Sequence, residues 1–274
     1  MTWIIFFYCL IQGFSEFLPI SSQGHLIFFN NFFDITTENL SIRDMNIVAH
    51  LGSLFAIIIY YYKDCIKIFF SFSDFFRSDI NRHAVLTKNI LISSIPLFIF
   101  GYIVTSFLSE NLFTSLKVIG WITIIFGVIF YLLDKLCLRI KTIDNINYIT
   151  AIIIGIVQAL AFMPGFSRSG LVISIMRLMG FNRSDSVNYS NFLSIPAISG
   201  AVIYLSYKNF EINFFNNLLN LNSFLILVLS FLFSFIFIHF LISWIRKSSF
   251  GIFMFYRIAL GIFILIYAYD IYRI

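Results

Sequence analysis

Glu16, Ser22, His25 and Arg168 are the side chains best suited to chemistry, and each stands in an otherwise apolar stretch. The first three belong to Gln12-Gly13-Phe14-Ser15-Glu16-Phe17-Leu18-Pro19-Ile20-Ser21-Ser22-Gln23-Gly24-His25. Ser22 with His25 supplies a hydroxyl and a base, the minimum pair for nucleophilic catalysis. Arg168 offers a planar fork that can hold phosphate oxygens at two points. Glu16 could orient His25, hold a divalent cation such as Mg²⁺ or Ca²⁺, or act as acid or base. Gln12, Ser21, Gly24, Gly165, Ser167 and Ser169 surround them as candidate substrate-binding residues. Each group also has a plain structural reading: helix caps for Ser21 and Ser22, a hydrogen-bonded packing residue for His25, a buried ion pair for Glu16 and Arg168. The combination favours function, because ionisable groups inside a membrane are costly and are kept where they are used.

Proline dictates how these groups are presented. Pro19 ends a helix near Leu18, and Ser21 or Ser22 can cap a second one on which Ser22 and His25 share a face. The stretch therefore reads as helix, polar turn, helix. A second stretch, Gln158-Ala159-Leu160-Ala161-Phe162-Met163-Pro164-Gly165-Phe166-Ser167-Arg168-Ser169-Gly170, repeats it at an offset of 146: Gln12 falls on Gln158, Ser21 on Ser167, Ser22 on Arg168 and Gly24 on Gly170. This implies an internal duplication. Two helix N-termini with free N–H groups then point at one central volume, an arrangement that attracts anions and phosphate above all. No P-loop or zinc signature is present, and Gly165-Phe166-Ser167 lacks the closing glycine of a nucleophile elbow.

The 274 residues are 60% hydrophobic and 11% charged, with a mean hydropathy of +0.93. Soluble domains carry about 25% charged residues, so the chain reads as an all-α integral membrane protein. A net charge of +5 and a pI near 9.1 come from basic residues scattered among loops, which argues for membrane topology and against nucleic acid. Cys9, Cys65 and Cys137 lie too far apart in sequence for a disulfide framework or a zinc site. The first ten residues are apolar without a basic n-region, which argues against a cleaved signal peptide.

Apolar runs near Asn46 to Tyr62, Asn89 to Leu108, Lys117 to Leu138, Val187 to Tyr207, Leu221 to Ile245 and Ile252 to Tyr269 approach the roughly 20 residues that a bilayer core requires. The two broken segments are too short to cross as single helices, so each is expected to dip into the membrane and return. This gives six transmembrane helices plus two re-entrant helical hairpins. Three crossings per repeat force the second repeat upside down, an inverted-repeat arrangement of about 1–145 and 146–274 in a single membrane domain. Under this scheme twelve of the 18 Lys and Arg residues fall on one side and four on the other. By the positive-inside rule the first hairpin, both termini and the acidic 34–44 loop with Asp34, Glu38 and Asp44 face outward. His50 lies on an apolar span where it could line the cavity, and Arg257 is expected to pair with an inner-loop acid or a lipid phosphate.

At the two motifs, and at Ala49-His50-Leu51-Gly52-Ser53, Ile195-Pro196 and Tyr256-Arg257, the sequence resembles the bacterial undecaprenyl-diphosphatase family, also called the bacitracin-resistance protein family. The resemblance covers essentially the whole chain. It implies removal of the terminal phosphate from undecaprenyl diphosphate, a prenyl diphosphate lipid, to recycle the carrier for peptidoglycan and other envelope polymers. It also implies a place in the bacterial cytoplasmic (inner) membrane, contact with membrane lipid, an option of homodimerisation, and catalytic groups at Glu16, Ser22, His25, Ser167 and Arg168. The mechanism read from these residues is Ser22 attacking phosphorus with His25 handling its proton, and the runner-up makes His25 the nucleophile. Gln12 stands where the family commonly has a glutamate, which lowers the negative charge available to a cation. Gln23 and Val172 stand where threonine is common, and Asn46 and Asn188 where an acid is common. The competing class is an inverted-repeat transporter or flippase for an anionic lipid phosphate, which needs no nucleophile beside a base.

Overall fold

The computed structural model describes residues 2–33, 41–76, 81–107, 115–208 and 220–270. Within them the chain is helical: α1 (Thr2–Phe17), α2 (Ser22–Phe33), α3 (Ile42–Tyr60), α4 (Tyr62–Phe70), α5 (Arg82–Phe107), α6 (Leu116–Leu136), α7 (Tyr148–Ala159), α8 (Arg168–Leu178), α9 (Arg183–Lys208), α10 (Leu221–Ile245) and α11 (Gly251–Asp270). Extended pairing among the described residues is limited to one bridge, Lys141 to Phe181. Asp34, Glu38, Arg77 and Arg273, which the topology argument used, lie outside the described residues, as do Met1 and Ile274.

Five helices, α3, α5, α6, α10 and α11, are long and apolar enough to cross a membrane. The chain is a multi-pass membrane protein. The expected sixth span, α9, has 26 residues but is not among the five. Ser186, Ser190, Asn191 and Ser194 lie on it and are all buried, so these four polar groups face the protein interior.

The two broken segments fold as helix, turn, helix. α1 stops at Phe17, two residues before Pro19, and α2 begins at Ser22. α7 ends at Ala159, passes through a 3₁₀ turn at Leu160–Phe162, and α8 begins at Arg168. Ser21 accepts from Gly24 N–H at 3.4 Å, and Ser167 accepts from Gly170 N–H at 3.2 Å. Among the described residues the non-glycine positions with positive φ are these same two serines, Ser21 at 75° and Ser167 at 70°. Such a conformation costs on the order of 1–3 kcal/mol and persists only where the surroundings enforce it. The pair at the 146 offset therefore shares an unusual backbone geometry as well as a residue type.

Packing repeats the same pairing. α1 lies on α10 and α7 lies on α5, while α3 meets α9 and α6 meets α11. Gly13 and Gly155 allow the first two contacts: a Cβ on either would come within 2.5 Å of α10 or α5 respectively.

The ends of α6 and α8 and the starts of α9 and α11 are tied by one buried carboxylate. Asp134 accepts from Arg177 at 3.2 Å, from both ends of the Arg183 guanidinium at 2.7 and 2.6 Å, and from Phe250 N–H at 3.3 Å. Arg177, expected as a loop charge, is instead fully buried and also donates to the carbonyls of Asp134, Cys137, Leu138 and Phe181. Removing the acid strands a buried cation, which costs about 3–5 kcal/mol where measured. Asp134→Ala is therefore expected to lower the thermal midpoint of the detergent-solubilised protein sharply, and an unchanged midpoint would remove Asp134 from this role.

Candidate active site

The two polar turns, over 140 residues apart in sequence, touch inside the bundle. Gly165 N–H donates to Ser21 Oγ at 3.2 Å, and Ser169 Oγ donates to the Leu18 carbonyl at 2.9 Å. Gly165 has φ +102°, and a side chain there would meet Ile119 and Ile122 at 3.0–3.1 Å, so glycine is required on both grounds.

Behind the turns sits Arg257, fully buried. Its guanidinium donates to the carbonyls of Pro19 and Phe166 at 3.2 Å, of Gly165 at 2.6 Å and, through Nε, of Thr123 at 3.2 Å. The same group lies 5.0 Å from the centre of the Phe126 ring. Arg257 thus joins both turns and α6, where the sequence reading gave it an inner-loop acid or a lipid phosphate as partner. That assignment is corrected: its partners are carbonyl oxygens, which cap a buried cation without neutralising it.

In front of the turns Glu16 is the hub. Its carboxylate accepts from Gln12 Nε2 at 3.2 Å, faces Arg168 Nη2 at 3.6 Å on one oxygen and His50 Nε2 at 3.6 Å on the other, and shares a cavity with Ser22. Arg168 is anchored through Nη1 to the Ser190 carbonyl at 3.2 Å, while its Nη2 has no hydrogen-bond acceptor. His50 is held through Nδ1 to the Asn46 carbonyl at 2.8 Å, which directs Nε2 at Glu16. A cavity of about 140 Å³ opens among these groups. It is lined by Glu16, Ser21, Ser22, Gln23, His50, Ser167 and Arg168 at one end and by Leu97, Ala161, Phe162, Ala197, Ile198 and Ala201 at the other. Ser22 and Arg168 are the first residues of α2 and α8, so first-turn N–H groups of two helices, apart from those of Gly24 and Gly170 that Ser21 and Ser167 take, border the same space.

A larger cavity, of about 530 Å³, is lined by Asp64, Lys67, Arg82, Asp144 and Asp185 among others. There Arg82 is paired with Asp144 at 2.5 Å, and Asp185 accepts from Ile143 N–H and Asn182. Its acids outnumber its Lys and Arg, so it is not an anion site.

The family described as "Bacitracin resistance protein BacA" matches residues 5–263. The chain belongs to this family. The undecaprenyl-diphosphatase of Pelagibacter ubique is 38% identical over 270 residues, covering 95% of each chain. Those of Saccharophagus degradans and Erythrobacter litoralis are 33% and 32% identical, covering 93% and 92% of this chain and 94% of each relative.

In this BacA-family chain the residues singled out from sequence separate into two shells. Glu16, Ser21, Ser22, Ser167 and Arg168 line the cavity. Gln12, Gly24, Gly165 and Ser169 do not; Gln12 holds Glu16, and the other three lie in the contact between the turns. His25 departs most from expectation. Its Nδ1 bonds to the Ser21 carbonyl at 2.6 Å and its Nε2 to Tyr256 Oη at 2.8 Å, with the two rings stacked at 5.6 Å. The shared face of Ser22 and His25 on α2 does not bring them into a hydrogen bond, because the bond back to Ser21 and the stack on Tyr256 draw the imidazole away from the cavity. The imidazole that faces Glu16 is His50. Tyr256-Arg257 was marked in the sequence by the resemblance and by a cation within an apolar run; the contact of Tyr256 with His25 and of Arg257 with both turns was not foreseen.

The oxygens that a divalent cation would find here are the Glu16 carboxylate and the neighbouring Gln12 Oε1, which is buried without a hydrogen-bond partner. Among the described residues no group of three or more His, Cys, Asp and Glu side chains converges. The Glu16 carboxylate is already met by an amide donor, a guanidinium and an imidazole.

Arg257→Met is expected to loosen both turns at once. Hydrogen exchange read by mass spectrometry should show faster uptake in peptides covering 18–24 and 163–170, about tenfold for each 1.4 kcal/mol lost from local opening. Arg257→Lys should rescue little, because one ammonium cannot replace a fork that reaches four carbonyls. Unchanged exchange in either turn would remove Arg257 from this role.

Proposed function

We propose that this chain is an undecaprenyl-diphosphatase, which hydrolyses undecaprenyl diphosphate to undecaprenyl phosphate and inorganic phosphate. The carrying observation is that Ser22, Glu16 and Arg168 meet in one cavity bordered by two helix N-termini. The names of the relatives, over more than nine-tenths of the chain, favour the phosphatase reading over a carrier.

In the proposed reaction the terminal phosphate enters between the starts of α2 and α8, with Arg168 and the first-turn N–H groups taking its oxygens. Ser22 Oγ attacks the terminal phosphorus, its proton passes to Glu16, and the bond to the bridging oxygen breaks to release undecaprenyl phosphate. Water then cleaves the phosphoserine to give inorganic phosphate. Gln12, His50 and Arg168 hold the Glu16 carboxylate toward Ser22. His25 serves as a positioning residue that fixes the Ser21 carbonyl. The alternative in which His25 is the nucleophile is disfavoured because both of its ring nitrogens are engaged.

The architecture proposed with this function has six crossings, α9 being the sixth, and α1–α2 and α7–α8 as re-entrant hairpins. The halves, about 1–145 and 146–274, are read as inverted repeats, which the matched positive-φ serines and the recurring helix pairs support. The cavity opens outward from the bacterial inner membrane, and the prenyl tail stays in lipid.

Purified protein in detergent should release inorganic phosphate from undecaprenyl diphosphate. Arg168→Lys should lower turnover by about 10²-fold or more despite keeping the charge, because an ammonium cannot bind two phosphate oxygens in a plane while holding the Ser190 carbonyl. Absence of phosphate release by the wild-type protein would refute the assignment, and near-normal turnover by the lysine variant would reduce Arg168 to a general field.

A further inference from the structure

The cavity at Glu16 is two-sided in chemistry, and its apolar end leads somewhere. From Ser22 and Arg168 it runs past Leu97 on α5 to Ala197 and Ala201 on α9. Leu97 is buried, Ala197 half-buried and Ala201 exposed, so the lining passes from the interior to the outer surface of the helix bundle. In a membrane that surface meets acyl chains, not water. Ala201 lies 18 residues beyond Arg183, about 27 Å along α9, which under the proposed topology is toward the outer leaflet.

Among the described residues the two equivalent helix pairs differ in how closely they pack. α3 and α10 pack backbone to backbone: a Cβ on Gly52 would lie 2.5 Å from the Leu227 carbonyl oxygen and 3.0 Å from Phe231 N. α5 and α9 are related to one another much as α10 and α3 are, yet they meet through a side chain. The Phe98 ring lies on Gly200, where a Cβ would be 2.4 Å from Cε1. A ring between the helices in place of direct backbone contact holds them apart. Pro196, Ala197, Gly200 and Ala201 then present no long side chain to fill the space.

We propose that the lipid tail of the diphosphate substrate leaves the site between α5 and α9, so that its first isoprenoid units are bound over Leu97, Ala197 and Ala201. This rests on the phosphatase reading of the same cavity and adds to it the route of the tail. The polar end takes the diphosphate, and the apolar end takes a flexible hydrocarbon that need not leave the membrane during turnover. Most of the polyprenyl chain remains in lipid, and recognition is confined to the units nearest the phosphate.

The test compares two substrates of unequal tail length, undecaprenyl diphosphate and isopentenyl diphosphate, in phosphate release by purified protein. Ala201→Trp should lower kcat/KM for the long substrate about tenfold or more, the effect of denying contact to a few buried methylenes. It should leave the short substrate within about twofold, as for a surface change. Ile203→Trp, on the exposed side of α9 outside the cavity, should change neither. An unchanged long-chain kcat/KM in Ala201→Trp, or a parallel fall for both substrates in a variant that still elutes as monodisperse protein, overturns the route. Should Ala201→Trp fail to fold, Ala201→Leu is read by the same ratio, with the same two outcomes. Failure of the phosphatase reading looks different: the wild-type protein then releases phosphate from neither substrate, and the proposed tail route falls with it.

Discussion

A guanidinium buried in the interior of the helix bundle governs the centre of this protein. An uncompensated cation there costs several kcal/mol at least, and Arg257 has carbonyl oxygens as partners in place of a carboxylate. Charge-assisted bonds to Thr123, Pro19, Gly165 and Phe166 offset that cost only if both turns are drawn to the same point. The positive-φ strain at Ser21 and Ser167 is sustained by the same convergence. There is an electrostatic consequence as well. Carbonyl oxygens that would repel an entering phosphate are turned onto Arg257, and the positive charge stays close behind the two helix starts.

In the proposed inverted-repeat architecture the two halves share a scaffold but divide the chemistry. At the 146 offset, Ser22 corresponds to Arg168 and Glu16 to Phe162. One turn thus contributes a hydroxyl and a carboxylate, and the other contributes a cation and an apolar wall. The two glutamines show the same divergence: Gln12 holds Glu16 at 3.2 Å, whereas Gln158 is turned onto the Ser93 carbonyl of α5 at 2.5 Å. In the proposed reaction neither turn alone could both bind and attack a phosphate, so the site requires both.

Much of this was legible because it is local. Pro19 and Pro164 mark the turns, the serines mark the caps, and the apolar runs mark five helices that can cross. The limits were also physical. α9, read from sequence as a sixth apolar run, carries enough serine and asparagine to fall outside the five, since hydropathy does not register which face a polar group takes. His25 could be placed near the turn by spacing, but the Tyr256 that captures it is 231 residues away. Arg257 was visible as a cation in an apolar run, but its partners are backbone carbonyls, which every residue has and no sequence pattern marks. His50 was placed at the cavity by its position on a span; that it faces Glu16 depends on how α3 is rotated against α1.

The central claim is that one phosphoryl group is held between the starts of α2 and α8, with Ser22 as its attacker. The most direct measurement is an experimental structure of the protein with orthovanadate, which adopts the geometry of a transferring phosphoryl group. The account predicts vanadium bonded to Ser22 Oγ, with Arg168 on the vanadate oxygens and His25 still bonded to Ser21 and Tyr256. Vanadium bonded to His25, or bound away from the two helix starts, would contradict it.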